Sequence, residues 1–453
     1  MIDSGTIAAL STPKGRGGIA VIRISGEKTK NILGKLVEKY PSEPVHRKAF
    51  HSFILNEGKR EEECLVVFFK SPHSYTGEDL AEISIHSNPF LVEKVLGMII
   101  KEDARGALPG EFTYRAFKNG KMDLIQAESV NELINANSGY YAEMKFGNLD
   151  GKLSAFLNEI KKNIVNLGVR VESIIEFEED QYLDKIEFGT DLEESILKLE
   201  KVLKNHRFNE LLNKGLNIVI TGKTNVGKSS LFNILLMEER SIISSSPGTT
   251  RDFIKEKIYV DNCPVDITDI AGINSESSDK IERIGIERSL GLLENSDAVI
   301  FVLDGIEGVN SHDEKIYDLI KNKKKLIVIN KIDKAEKSVV EKIKTFFNEK
   351  EICEISALKN KNIEEIYNFI SGILKGLKSN STGLSVNLRQ KGLLEELMEK
   401  LKKVRTMSAS ISGNYELLAE EVRSVLDCIG KLMGEITEED ILNRIFSDFC
   451  IGK

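Results

Sequence analysis

The stretch Leu216-Asn217-Ile218-Val219-Ile220-Thr221-Gly222-Lys223-Thr224-Asn225-Val226-Gly227-Lys228-Ser229 runs from an apolar segment through a glycine-flanked loop into the helix-like Ser230-Leu231-Phe232-Asn233-Ile234-Leu235-Leu236. Strand, tight loop and helix in that order turn G-x-x-x-x-G-K-S into a phosphate loop. Gly222 and Gly227 let the backbone turn its N–H groups toward a polyphosphate at a helix N-terminus, while Lys228 supplies a compact charge and Ser229 a hydroxyl for Mg²⁺. Without its flanks the pattern would also fit a glycine-rich turn with a surface lysine.

Downstream the chain alternates strand and helix. Strand candidates at 216–221, 258–261, 265–268, 298–304, 326–330 and 352–356 predict a three-layer α/β sheet. Asp304, Asn330 and Ser356 then stand at carboxyl ends of strands, the edge where open α/β sheets bind ligands. Asn330-Lys331-Ile332-Asp333 chooses the base, because a carboxylate at Asp333 can accept from both guanine N1 and N2, a donor pair that adenine does not offer. Asn330 is expected to brace the loop and Lys331 to lie along the base. Ser356-Ala357-Leu358 resembles the accessory loop whose backbone meets the guanine oxygen. The nucleotide expected is GTP.

Outward from this module, residues 1 to about 118 mix β-type runs (6–10, 19–24, 64–69, 80–86) with helical patterns near 27–40 and 89–101, predicting an α+β domain. Beyond Asp123 the period changes. Leu153, Phe156, Leu157, Ile160, Ile164, Leu167, Val171 and Ile174 form one helical stripe, and stripes return after a polar linker at 378–383. Thr437-Glu438-Glu439-Asp440 reads as a capping box opening a last helix. The segmentation expected is 1–118, 119–213, 214–376 and 377–453: a multidomain α/β chain whose second and fourth segments make one discontinuous helical domain around an inserted nucleotide module. Two separate bundles would read the same.

Bulk properties agree with several folded domains and narrow the function little. The chain has 453 residues, 30% charged and 41% hydrophobic, which is long enough for about three cores. A net charge of −8 excludes a wholly basic nucleic-acid adhesive but leaves room for a local RNA-binding face. No apolar run approaches the ~18 residues of a membrane span and no leader pattern opens the sequence, so the expected location is cytoplasmic. The five cysteines form no C-x-x-C pair and the six histidines lack ligand spacing, which argues against a disulfide framework or a zinc site.

Two further segments resemble the switches of Ras-like GTPases. Gly248-Thr249-Thr250-Arg251-Asp252 is similar to switch I, with Thr250 joining Ser229 on Mg²⁺; Asp269-Ile270-Ala271-Gly272 is similar to switch II, with Asp269 holding Mg²⁺ through water and the Gly272 N–H sensing the γ-phosphate. Ile273 follows where such proteins place a water-orienting glutamine, so that function must come from elsewhere. Downstream, Glu282 is a carboxylate able to orient water. On residues alone it reads equally well as part of an amphipathic switch helix with surface charge pairs.

The whole chain resembles the MnmE (TrmE) family of bacterial tRNA-modifying GTPases, within the TrmE-Era-EngA-like group. The resemblance rests on Gly15-Arg16-Gly17-Gly18, Arg23-Ile24-Ser25-Gly26, Tyr75-Thr76-Gly77-Glu78-Asp79, Pro109-Gly110-Glu111-Phe112, Arg115-Ala116-Phe117, Gln126-Ala127-Glu128, the GTPase set and Phe449-Cys450-Ile451-Gly452-Lys453. It implies a folate-binding, dimerising N-terminal domain, a homodimer, and work with the FAD-containing flavoprotein MnmG as a heterotetramer. The reaction implied installs an aminomethyl or carboxymethylaminomethyl group at C5 of a tRNA wobble uridine, using a 5-formyl or 5,10-methylene tetrahydrofolate. By the same resemblance Arg23, Glu78, Lys121 and Lys453 contact folate, and Asn225 ligates K⁺ with the loop around Ser244, Ser246 and Thr249. Glu282 becomes the catalytic residue. GTP contacts are implied for Asn225, Val226, Gly227, Lys228, Ser229, Ser230, Ser244, Ser245, Ser246, Pro247, Gly248, Thr249, Thr250, Asp269, Ile270, Ala271, Gly272, Asn330, Lys331, Asp333, Ser356 and Ala357. Cys450 reads as a site-lining thiol or as a small buried residue that positions the tail beside Phe446 and Phe449. The competing functions are a ribosome-assembly GTPase, which shares the nucleotide motifs, and a folate- or partner-binding scaffold with a slow GTP switch.

Overall fold

Alternation over Ala20–Ile24, within the strand Gly17–Ser25, sends Ile22 and Ile24, both fully buried, into one face of a sheet and Arg23 to the other. That strand (β2) follows β1 (Ile7–Leu10) and precedes β3 (Ala49–Asn56), β4 (Lys59–Phe69), β5 (Leu80–Ser87) and the short β6 (Arg105–Gly106). The six pair in the order β3-β4-β5-β2-β1-β6, antiparallel except for β1 with β6. The helices Thr29–Leu36 and Pro89–Lys101 contribute Ile32, Leu33, Val92, Val95 and Ile99 to the apolar face. The second helix starts with Asn88 accepting from the Phe90 N–H and with Pro89 at its first position, where a missing donor costs nothing. Strand β3 has no counterpart in the sequence reading. It mixes exposed and buried positions because only Ser52 and Ile54 reach the interior.

The computed structural model describes residues 5–176, 189–206, 211, 213–237, 254–270, 289–378, 383–410 and 415–453. The chain divides into two compact units, one formed by Met1–Ile134, Lys145–Leu199 and Leu388–Lys453, the other by Asn135–Met144 and Glu200–Asn387. In the first unit, helical segments from both sides of the nucleotide module come together. The helix Lys152–Glu176 buries Leu153, Leu157, Ile160, Ile164, Leu167, Val171 and Ile174. It lies against Tyr415–Met433 so closely that a Cβ on Gly168 would sit 3.1 Å from Val422. Arg389 and Gln390 both donate to the buried Glu128 carboxylate, at 2.6–2.8 Å, across more than 260 residues of sequence. The capping box expected at 437–440 does not form: Glu438 is the N-cap without a side-chain bond, and the Thr437 hydroxyl is buried without a partner among the described residues.

The second unit carries β7 (Leu216–Thr221), β8 (Ile254–Val260), β9 (Cys263–Asp269), β10 (Ala298–Asp304), β11 (Lys325–Asn330) and β12 (Ile352–Glu354) in the order β12-β11-β10-β7-β9-β8. All neighbours are parallel except the β8/β9 hairpin. Every residue of β10 is buried because apolar clusters cover both sheet faces, as a parallel sheet requires. The order reverses at β7, so the loop leaving its carboxyl end opens at the switch point of the sheet.

Candidate functional site

The loop after β7 adopts backbone conformations that its glycines alone permit cheaply. Gly222 has φ +146° and Gly227 φ +100°, and a Cβ on either would collide with the Val302 carbonyl or the Asn330 amide. Asn225 also lies in the left-handed region, at φ +63°, with its side chain exposed. Val226 is fully buried under the loop, whereas Ser229 and Ser230 are exposed at the start of the helix Lys228–Met237. Lys228 folds back and donates to the carbonyls of Gly222 (2.9 Å) and Lys223 (2.8 Å). Burial pushes its ammonium below the usual lysine range, with Asp269 opposing. Ser229 Oγ donates to Asp269 Oδ2 at 2.9 Å, and Asp269 Oδ1 is buried without a partner among the described residues. Burial raises that carboxyl, while Ser229 and Lys228 pull it down. A hydroxyl beside an unsatisfied carboxylate is a hard-oxygen pair that suits Mg²⁺.

At the other end of the site, Asn330 uses both ends of its amide. Nδ2 donates to the Val226 carbonyl (2.8 Å) and Oδ1 accepts from the Ala357 N–H (3.0 Å), tying the phosphate loop to the 356–358 loop. Ser356 Oγ donates to Asp333 Oδ1 at 2.7 Å, which holds this carboxyl below its ordinary range. The carboxylate is therefore charged and presented at the loop edge, ready to accept from two adjacent donors. Lys331 has φ +65° and its ammonium lies 2.6 Å from Asp304 Oδ2. Burial raises Asp304, but Lys331 and the Ile306 N–H outweigh it and leave the carboxyl lowered. Asp304 entered the sequence reading only as a strand end. Its role in holding Lys331 follows from the parallel register Asp304↔Asn330. Ile270 is fully buried. Ser244, Ser245, Ser246, Pro247, Gly248, Thr249, Thr250, Ala271, Gly272 and Glu282 lie outside the described residues.

A second cluster forms on the face of the N-terminal sheet that carries Arg23. Arg23 pairs with its cross-strand neighbour Glu82 (2.7 Å) and lies over Tyr75 and Phe112, 5.3 and 5.6 Å from the ring centroids. The chain terminus arrives here. Ser11 Oγ donates to the Gly452 carbonyl at 3.1 Å, and the Phe112 N–H donates to that of Lys453 at 3.2 Å. Burial lowers the Lys453 ammonium, the nearby Arg23 charge adds to the effect and Glu82 opposes it. Two cations in a partly buried place favour an anionic ligand. Glu78 accepts from Ser25 Oγ (2.7 Å) and Arg115 (3.0 Å), and Arg115 also meets the fully buried Glu111 at 2.8 Å. Lys121 is exposed, donates to the Pro72 carbonyl and runs beside Gly77. Arg115 and Glu111 belong to motifs legible in the sequence, but nothing in their spacing tells that they support Glu78. Cys450 is exposed, which corrects the buried alternative, whereas the other four cysteines are buried. Among the described residues no cluster of three metal-ligating side chains occurs, and no helix is long and apolar enough to cross a membrane.

Two family descriptions match the chain: "GTP-binding protein TrmE N-terminus" over residues 6–121 and "MnmE helical domain" over residues 124–450. A tRNA modification GTPase MnmE of Thermotoga petrophila is 40% identical over 451 residues, covering 99% of this chain and 100% of the relative. That of Aquifex aeolicus is 36% identical over 454 residues, covering 99% of each. A solved structure of Aquifex aeolicus Era bound to GDP and AlF4⁻ is 31% identical, covering 41% of this chain and 66% of Era, at a TM-score of 0.30.

Proposed function

The chain belongs to the MnmE family of tRNA modification GTPases, and from that premise we propose that K⁺-stimulated GTP hydrolysis by paired nucleotide modules drives modification of the tRNA wobble uridine at C5. The chain is a GTPase of tRNA modification. In hydrolysis, water oxygen bonds to the γ-phosphorus as the bond to the β–γ bridging oxygen breaks, the water's two protons leave on the released phosphate, and GDP and phosphate share the charge. Loop N–H groups and Lys228 meet the phosphates, Ser229 and Thr250 would hold Mg²⁺, and Asp333 with Lys331 fixes the base. Glu282 orients the water. Asn225 with Ser244, Ser246 and Thr249 would hold K⁺, which would supply positive charge to offset the charge developing on the phosphates.

The finer assignment places a tetrahydrofolate derivative on the Arg23 face, where it supplies the one-carbon unit when bound. Arg23 and Lys453 take its carboxylates, Glu78 accepts from pterin N–H groups and Lys121 flanks them. The single observation that supports this reading most is the delivery of Lys453 to Arg23 by the docked terminus. A homodimer working with MnmG in a cytoplasmic setting completes the proposal, with 1–118, 119–213, 214–376 and 377–453 as its domains. Wobble-uridine analysis of tRNA from cells lacking this gene tests it, and unchanged modification would sink it. For the hydrolytic part, the expected result is a faster rate in K⁺ than in Na⁺, collapsing in Glu282→Ala with nucleotide binding retained.

A further inference from the structure

Lys223 is the first residue inside the phosphate loop, and its two ends do different things. Its carbonyl is one of the two acceptors that hold the Lys228 ammonium, at 2.8 Å. Its side chain, 11% exposed, ends 2.6 Å from Glu307 Oε2 and 3.9 Å from Asp313 Oδ2. Glu307 sits in the turn after β10. Asp313 lies in the first turn of the helix Ser311–Ile320, locked there by a reciprocal capping box with Asn310. The Asp313 side chain is fully buried and its Oδ1 has no hydrogen-bond partner among the described residues. A buried carboxylate needs a nearby cation, and Lys223 provides the ammonium.

The preceding residue gives the anchor a purpose. Gly222, at φ +146°, has no side chain to restrict the peptide that joins it to Lys223. Gly222 therefore adds no side-chain restraint of its own to that peptide, whose carbonyl is the other acceptor of the Lys228 ammonium, at 2.9 Å. A tethered Lys223 side chain supplies a restraint from the other side. Lys228 is the group that reaches the β- and γ-phosphates in a phosphate loop, so the direction of its ammonium sets how well the charge is aimed.

We propose that Lys223, clamped by Glu307 and Asp313, is a positioning residue that holds the Lys228 ammonium on the β-phosphate of the bound guanine nucleotide. The inference rests on the GTPase reading of this loop and deepens it. Clamp and loop act as one unit, and the base end of the site, built from Asn330, Asp333 and Ser356, joins that unit at the Val226 carbonyl rather than at Lys223 or Lys228.

The test uses the full chain and displacement of a fluorescent GDP analogue by GDP and by GMP, which lacks the β-phosphate. Lys223→Met should weaken GDP about fivefold to tenfold and leave GMP unchanged, since the removed constraint acts on one charged contact. Lys223→Arg, which keeps the charge and reach, should restore GDP affinity. Glu307→Gln, at a position whose side chain is 66% exposed, should cost about twofold. The double variant Lys223→Met/Glu307→Gln should be no worse than Lys223→Met. Unchanged GDP affinity in Lys223→Met, an equal loss for GDP and GMP, or a double variant equal to the product of the singles would each overturn the proposal. Failure of the wild-type chain to bind GDP would instead remove the nucleotide reading on which it stands.

Discussion

The nucleotide site and the Arg23 cluster are assembled in opposite ways. Gly222–Ser229, Asp269, Asp304, Asn330 and Ser356 each follow or end a strand of one parallel sheet, so a single edge collects them all. Arg23 stands inside a strand of an antiparallel sheet, and its neighbours come from a loop at Tyr75, a strand at Glu82, a helix at Phe112 and the chain terminus at Gly452. A parallel sheet repeats its functional edge with every strand–helix unit, and each unit writes a short contiguous motif. A sheet face gathers single residues from many segments and leaves no motif of fixed spacing.

That contrast is open to breaking. The largest effect is expected at Arg115→Met, which removes one of the two guanidinium groups on the buried Glu111, leaving Arg105 alone there, and releases Glu78. Urea unfolding should report a loss of about 3–5 kcal/mol with guanine-nucleotide binding preserved. A loss under about 1 kcal/mol would show that the cluster is not a structural hub. Next comes Asp333→Asn. Replacing a two-fold acceptor by an amide should cost GTP affinity about a hundredfold, and should favour xanthosine triphosphate, whose C2 carbonyl can accept from the new N–H. Unchanged base preference in competition binding would move base reading to another residue.

Gly452→Ala tests the docking of the terminus. The residue has φ +95°, and an added Cβ would run into the Leu10 carbonyl, so a cost of about 1–2 kcal/mol is expected together with faster amide exchange at 450–453. Exchange as slow as in the wild type would argue that the tail docks independently of this backbone conformation.

The smallest effect is a difference in acid response. Burial pushes the Glu111 carboxyl up, but Arg105, the Leu108 N–H and Arg115 outweigh it and leave it below its ordinary 4.5. Its stabilisation is complete above that value and is lost as pH falls through the lowered one. Asp313 behaves oppositely. Burial holds it above its ordinary 3.8 against the Asn310 N–H, Lys223 and His312, so ionisation costs stability, which returns as pH falls through the raised value. Between about pH 5 and 3.5 hydrogen exchange should quicken around helix Glu111–Lys118 relative to helix Ser311–Ile320. A uniform response of both helices would remove the distinction.

Much of the nucleotide sheet was legible. The strands at 216–221 and 298–304 were read at their observed bounds, because short apolar runs ending at Gly222 and Asp304 admit little else. The hairpin β8/β9 proved longer than its apolar core, since Lys255, Glu256 and Lys257 pair through backbone groups that carry no hydrophobic signal. Strand β3 and the helices between 111 and 149 escaped notice, their faces being too mixed for a clear period. Both roles of Asn330 are polar contacts to backbone atoms, one of them 104 residues away in sequence. Residue identity alone could suggest that it braces the loop, but not which groups it joins.

The phosphate loop, its lysine and its guanine-type aspartate were determined by sequence, because short-range backbone geometry and charge dictate them within a few residues. Tertiary structure decided what those residues lean on: Lys331 on Asp304, Lys223 on Asp313, Lys453 beside Arg23. Such pairs depend on strand register and on the path of distant segments, and the energy that selects them is the burial of whole sheets and helices rather than any local preference.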